Sequence, residues 1–119
     1  MKLEDQIVSL ELAKRLKEFG VKQESLFYWF INQLVYMCDL SKWEKSKKYI
    51  FSAFTVAELG EMLPVGSFRS ETYSSKGKIT WILAELITDT QKAIFGKTEA
   101  DARAKMLIYL LENKLMEKA

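Results

Sequence analysis

"TEADARAKMLIYLLENKL", residues 98–115, carries the clearest helix signature in the chain and decides how the remainder must fold. Thr98 is placed to accept from an orphan backbone N–H at the helix start. Glu99 and Asp101 put negative charge at the positive end of the helix dipole. Ala100, Ala104, Leu107, Ile108, Leu111 and Leu115 recur at i, i+4 and i+7 and form one apolar stripe. Arg103, Lys105, Glu112 and Lys114 fall outside it. The stretch holds no residue equipped for chemistry by itself, so it reads as the helix that closes a core. Its small alanines predict close approach to a sheet.

Two more helices are marked by their ends. Residues 10–19 place Leu12, Ala13, Leu16 and Phe19 on one face, between Ser9 as N-cap and Gly20 as a left-handed stop. In "TVAELGEMLP", residues 55–64, Thr55 and Glu58 form a T-x-x-E capping box, and Pro64 pushes its predecessor out of helical conformation. Val56, Leu59 and Leu63 form the buried stripe. Gly60, inside this helix, costs about 1 kcal/mol relative to alanine and predicts a close neighbour.

The strands are read from bulk and alternation. "SLFYWFINQLVYM", residues 25–37, begins with six bulky positions that favour extended chain, and Asn32 and Gln33 read as the turn into a returning strand at 34–37. Residues 39–48 form a polar connection. Residues 68–73 and 78–86 read as a second hairpin around Ser75, Lys76 and Gly77, with a short strand at 91–95. A helix over 81–95 competes, because Trp81, Ile82, Glu85, Leu86 and Asp89 share helical spacing, and periodicity alone does not choose between strand and helix across 79–95. The expected fold is one α+β domain, residues 1–119, with three helices packed on an antiparallel sheet of four to five strands.

Composition narrows the function. The chain has 119 residues, enough for one ordinary core, and 49% hydrophobic residues exclude a disordered chain. The formal net charge of +2 predicts no polyanion partner on its own. There is no histidine, which removes the commonest general base and metal ligand. The single cysteine, Cys38, forms no internal disulfide, makes no zinc site and has no flanking cation to activate it. The N-terminal residues mix acids and bases without a signal-peptide core, and no apolar run approaches the roughly 20 residues a membrane span needs. These features predict a reduced, cytoplasmic protein with no membrane partner, no cofactor, no metal and no catalytic residues.

Three segments resemble a known group. "SLELAKRLKEFGVKQESLFYW", "FSAFTVAELGEMLP" and "TEADARAKMLIYLLENKL" are similar to small phage- and prophage-encoded proteins of gut bacteria. That group is marked by an L-x-x-A-K-x-L-K-x-x-G helix before an aromatic strand, an A-x-T-x-x-E-L helix and a C-terminal helix of the E-A-x-A-K-M-L kind. Here Phe54 stands where the group has proline. The resemblance covers about half the chain, leaving residues 39–50 and 65–95 unmatched. It implies an α+β fold in a bacterial host cytoplasm, and no activity, because the group has none assigned.

Four constellations invite a functional reading. "GKT" at 96–98 precedes a helix, but a phosphate loop needs a glycine where Gln91 stands, so a plain turn with an N-cap is preferred. The pairs Glu58/Glu61 and Glu99/Asp101 read as helix-start charges or solvated faces rather than an acid–base pair. Residues 26–31 carry bulk on both faces, whereas a strand with one wet face should alternate. Either helices cover both sides or one side meets another protein. Phe27, Trp29 and Ile31, with Tyr36 and Trp43, are therefore the candidate surface for a protein partner or for homo-oligomerisation. The alternative is a nucleic-acid contact, with Lys42, Lys45, Lys47 and Lys48 on phosphates and Trp43 on a base. The expectation is a non-enzymatic accessory protein acting by protein contacts.

Overall fold

The structure is a computed structural model that describes residues 3–30, 33–36, 48–63, 68–75, 78–85 and 93–114. Its central element is the last helix, α3 (Glu99–Glu112). Thr98 caps it, its Oγ1 accepting from the Asp101 N–H at 3.1 Å. The buried positions are Ala100, Ala102, Ala104, Met106, Leu107, Ile108 and Leu110. Laid out at 3.6 residues per turn, they sweep about two thirds of the circumference. The expected stripe accounts for one side of that arc, and Ala102, Met106 and Leu110 add a second. A helix buried this far round must be packed on several sides.

The other elements supply those sides. Helix α1 (Leu10–Glu18) turns Leu12, Ala13 and Leu16 into the core. It stops at a Schellman motif: Gly20 has φ 83°, Gly20 N–H donates to Lys17 O, and Val21 N–H donates to Leu16 O. Its start differs from expectation, because the Ser9 side chain makes no capping bond. Asp101 Oδ1 instead accepts from Ser9 N–H at 2.8 Å. One carboxylate thus stands in the first turn of α3 and at the N-terminus of α1, where it complements both dipoles.

Helix α2 (Val56–Met62) has the full capping box: Thr55 N–H donates to Glu58 Oε1, and Glu58 N–H donates to Thr55 Oγ1. Leu63 ends it in extended conformation, as a residue before proline should; Pro64 itself lies outside the described residues. Gly60 faces the Arg103 guanidinium of α3, and a Cβ there would overlap it.

The expected single sheet of four to five strands is corrected. The described strands form two antiparallel sheets of three. In the first, β1 (Phe27–Phe30) lies between β2 (Gln33–Tyr36) and β3 (Ile50–Ser52). In the second, β4 (Phe68–Ser75), β5 (Lys78–Glu85) and β6 (Ala93–Gly96) are neighbours in that order. The physical reason is α3: with two flanks apolar, it packs on β5 and β6 on one hand and on α1 and α2 on the other. Strand therefore replaces the competing helix at 81–85 and 93–95; residues 86–92 lie outside the described residues.

Register corrects one turn. Phe30 pairs with Gln33 and Trp29 with Leu34, so Gln33, expected in the turn, is a strand residue; residues 31–32 lie outside the described residues. The second hairpin forms, but its first strand runs two residues past the expected Tyr73: Ser75, expected in the turn, pairs with Lys78 as a strand residue, and residues 76–77 lie outside the described residues. At its far end, α3 stops at Asn113, before the expected Leu115, and Lys114 takes φ 55° in a position that favours glycine.

Val8 shows how the N-terminal segment is locked in. It is fully buried, its N–H donates to Phe54 O at 2.9 Å, and Ile7 bridges Thr55. Gly96, buried at the end of β6, lies against the backbone of α3: a Cβ would come within 2.5 Å of Ala102 N and 2.8 Å of its Cα. Gly96→Ala is expected to destabilise the protein by about 1–3 kcal/mol through overpacking against backbone that has no rotamer to yield. Urea unfolding should show a lower midpoint with an unchanged slope.

Candidate interaction surface

Each face of the aromatic strand is covered in part, with Tyr28 buried and Phe27, Trp29 and Phe30 half-buried. Trp29 packs against the helical core together with Phe51, its cross-strand partner. Its indole N–H donates to Val8 O at 2.9 Å, which gives that buried carbonyl a partner. On the other face Tyr28, Ile50 and Ser52 are buried although they lie outside the helical cluster. Residues 21–25 cover part of this side, where the Tyr28 hydroxyl accepts from Ser25 N–H and Gln23 Oε1 accepts from Ser52 N–H.

The expected surface residues are thus divided. Trp29 is committed to the fold. Phe27 is half-buried, as is Phe30 at the other end of the strand and on its opposite face. Tyr36 is placed in register opposite Phe27. Ile31 and Trp43 lie outside the described residues, as do Lys42, Lys45 and Lys47 of the alternative loop. Lys48 is exposed, with its Nζ 4.9 Å from the centroid of the Tyr49 ring. The most exposed large apolar residues include Leu26 and Tyr49, at 54% and 56%.

The carboxylates named as chemical candidates hold elements together. Glu58 completes its capping box and also accepts from Leu26 N–H at 3.3 Å through Oε2, which fixes the entry to β1 beside α2. Glu99 binds Arg103 at 2.9 Å, and Asp101 serves Ser9. Glu61 is exposed. Among the described residues no group of three or more Cys, Asp or Glu is placed to hold a metal ion. In "GKT" Thr98 is the N-cap, as expected, while Gly96 is the last residue of β6 and packs against α3 rather than standing in a turn. Cys38 lies outside the described residues.

Three arrangements escaped the sequence. Arg103 is half-buried, its guanidinium donating to Val56 O at 3.1 Å and to Glu99, while its Nε is buried without a hydrogen-bond partner among the described residues. The signal available was Gly60, which marks the space that guanidinium fills. Ser52 Oγ is the other such atom. Finally, Lys14 and Lys17 of α1 both stand over the Phe51 ring, at 5.7 and 5.0 Å from its centroid. Lys17 Nζ also donates to Ile50 O at 3.0 Å, and loss of hydration lowers its pKa from the ordinary 10.5.

Comparison with protein-family models, with curated proteins and with solved structures finds no match for this chain. Among the described residues no helix is long and apolar enough to cross a membrane.

Two measurements test these placements. Trp29→Phe keeps an aromatic ring but gives up part of its bulk and leaves the Val8 carbonyl buried and unpaired, so a loss of about 1–3 kcal/mol is expected in denaturant unfolding. For Lys17, the folded state has the lower pKa, so between that value and 10.5 the unfolded chain binds more protons and stability rises with pH. Measured against Lys17→Met, which does not titrate, the wild type should gain stability from neutral pH toward 10.5 and level off above it. A difference independent of pH would show that Lys17 keeps its solution pKa.

Proposed function

We propose that this chain is a small non-enzymatic accessory protein of the phage or prophage type, working in a bacterial cytoplasm through contact with a protein partner or a second copy of itself. The observation that carries the reading is the entry to the aromatic hairpin. Leu26 is more than half exposed directly ahead of β1, and Phe27 and Phe30 keep part of their surface in solvent. Aromatic side chains that are only partly covered by their own fold are the residue types enriched at protein interfaces.

The disposition of the polar groups favours the non-enzymatic half of the reading. Among the described residues Glu58, Glu99, Asp101 and Arg103 are engaged at helix ends and in ties between elements. An acid–base pair needs carboxylates that are free to exchange protons with a substrate. The resemblance of the three helical segments to phage-encoded proteins supports the origin, since those segments are the ones that make the core.

Sedimentation over a micromolar-to-millimolar concentration range tests it. The wild type is expected to run above monomer mass, or to be captured by one host or phage protein, with either behaviour lost in Leu26→Asp. That variant should keep the wild-type unfolding midpoint, because the side chain is largely in solvent. A strict monomer whose partner binding is untouched by Leu26→Asp would remove the hairpin from consideration.

A further inference from the structure

The structure gathers cations and rings at the junction of α1 and β3, away from the hairpin entry. Lys14 and Lys17 stand one turn apart on α1 and converge over the Phe51 ring. The Lys17 bond to Ile50 O holds that side chain against the strand, one residue from Tyr49. Tyr49 is 56% exposed, the largest exposure of any bulky apolar or aromatic residue noted among those described, and Lys48 stands beside its ring. The acids of α1, Glu11 and Glu18, fall on the flank of Lys14 opposite to Lys17.

We infer that Lys14, Lys48 and Tyr49 form a contact surface for single-stranded nucleic acid, with the Lys14 and Lys48 ammonium groups on phosphates and the Tyr49 ring stacked on a base, while Lys17 holds α1 against the strand that carries the ring. The chemistry of the patch selects this partner. A phosphate backbone needs cations gathered on one surface, which the overall charge of +2 does not imply; here Lys14 stands over Phe51 of β3 and Lys48 stands beside the ring of Tyr49, two residues earlier in the chain. An exposed ring among those cations adds a stacking platform that a duplex, with its bases already stacked, does not use. The surface differs from the loop expected from the sequence: of those residues only Lys48 belongs to it, and α1 supplies the other cation. It is independent of the protein contact proposed above, and each stands without the other.

Fluorescence anisotropy with labelled oligo(dT) of about twenty nucleotides at low salt tests the assignment on the full chain. Binding is expected, falling as salt rises. The double variant Lys14→Glu with Lys48→Glu should weaken it by more than about tenfold, and Tyr49→Ala by about tenfold, the size of one lost stacking contact. Lys97→Glu, an exposed lysine beyond β6, changes net charge without touching the patch and should leave affinity near wild type. Absence of binding at low salt overturns the inference. So does Lys97→Glu weakening binding as much as the patch lysines do. Equal affinity for polyglutamate or duplex DNA, with no effect of Tyr49→Ala, also overturns it, in favour of a general polyanion contact. All of these positions are exposed or half-exposed, and an unchanged circular dichroism spectrum separates loss of binding from loss of fold.

Discussion

Burial of α3 around most of its circumference is the constraint on which the rest of the structure depends. A helix with one apolar stripe needs one layer beneath it, and the chain then has its other elements free to form a single sheet. Here Ala102, Met106 and Leu110 extend the stripe of Ala100, Ala104, Leu107 and Ile108, so α3 lies among β5, β6, α1 and α2. The alternating alanines of its first turns make this possible, because they allow neighbours close on more than one side. Gly96 in β6 and Gly60 in α2 are the complementary small residues on two of those neighbours. One meets helix backbone and the other a guanidinium, so the two approaches differ in kind: the first is fixed by covalent geometry, the second by where Arg103 chooses to lie.

That same constraint explains which parts of the fold were legible in the sequence. The helix ends were, because a cap is a local bargain between a side chain and the nearest backbone donors. Thr55 with Glu58, Thr98 and Gly20 all act as their spacing predicts. Ser9 is the exception, and its physical reason is tertiary: an ionised oxygen of Asp101, from a helix far along the chain, reaches its N–H and leaves the hydroxyl unused as a cap. Strand positions were largely readable from bulk, but their grouping into two sheets was not. Grouping depends on which flanks of α3 need cover, and a stripe read at one angle hides the second flank.

The surface was less legible than the core. Bulk on both faces of β1 left open whether a partner or the fold itself covers the second side. The structure covers part of each, with Trp29 toward the helices and Tyr28 under residues 21–25, and leaves Phe27 and Phe30 half-buried. Nothing in the local pattern distinguishes these outcomes, because the covering groups come from elsewhere in the chain. The pairing of Lys14 and Lys17 with Phe51 was hidden for the same reason. Read along α1 they are solvated lysines, and only the packing of α1 on β3 turns them into a cation cluster over a ring.

The edge of β3 joins these threads. Ala53 N–H reaches Phe27 O, so by alternation the backbone groups of Ile50 and Ser52 point away from β1, toward what would be the next strand. Lys17 donates to Ile50 O and Gln23 accepts from Ser52 N–H, while the Gln23 amide nitrogen is held by Val21 O. Side chains have taken the bonds that a partner strand would need, and a charged one stands in its path. Natural sheets protect their edges in this way against chance pairing. A partner arriving at this side therefore meets ammonium groups and aromatic rings rather than an open ladder. The interaction it selects is one of charge and stacking, and the lysine that closes the edge is the one that ties α1, with Lys14, to the strand that follows Tyr49.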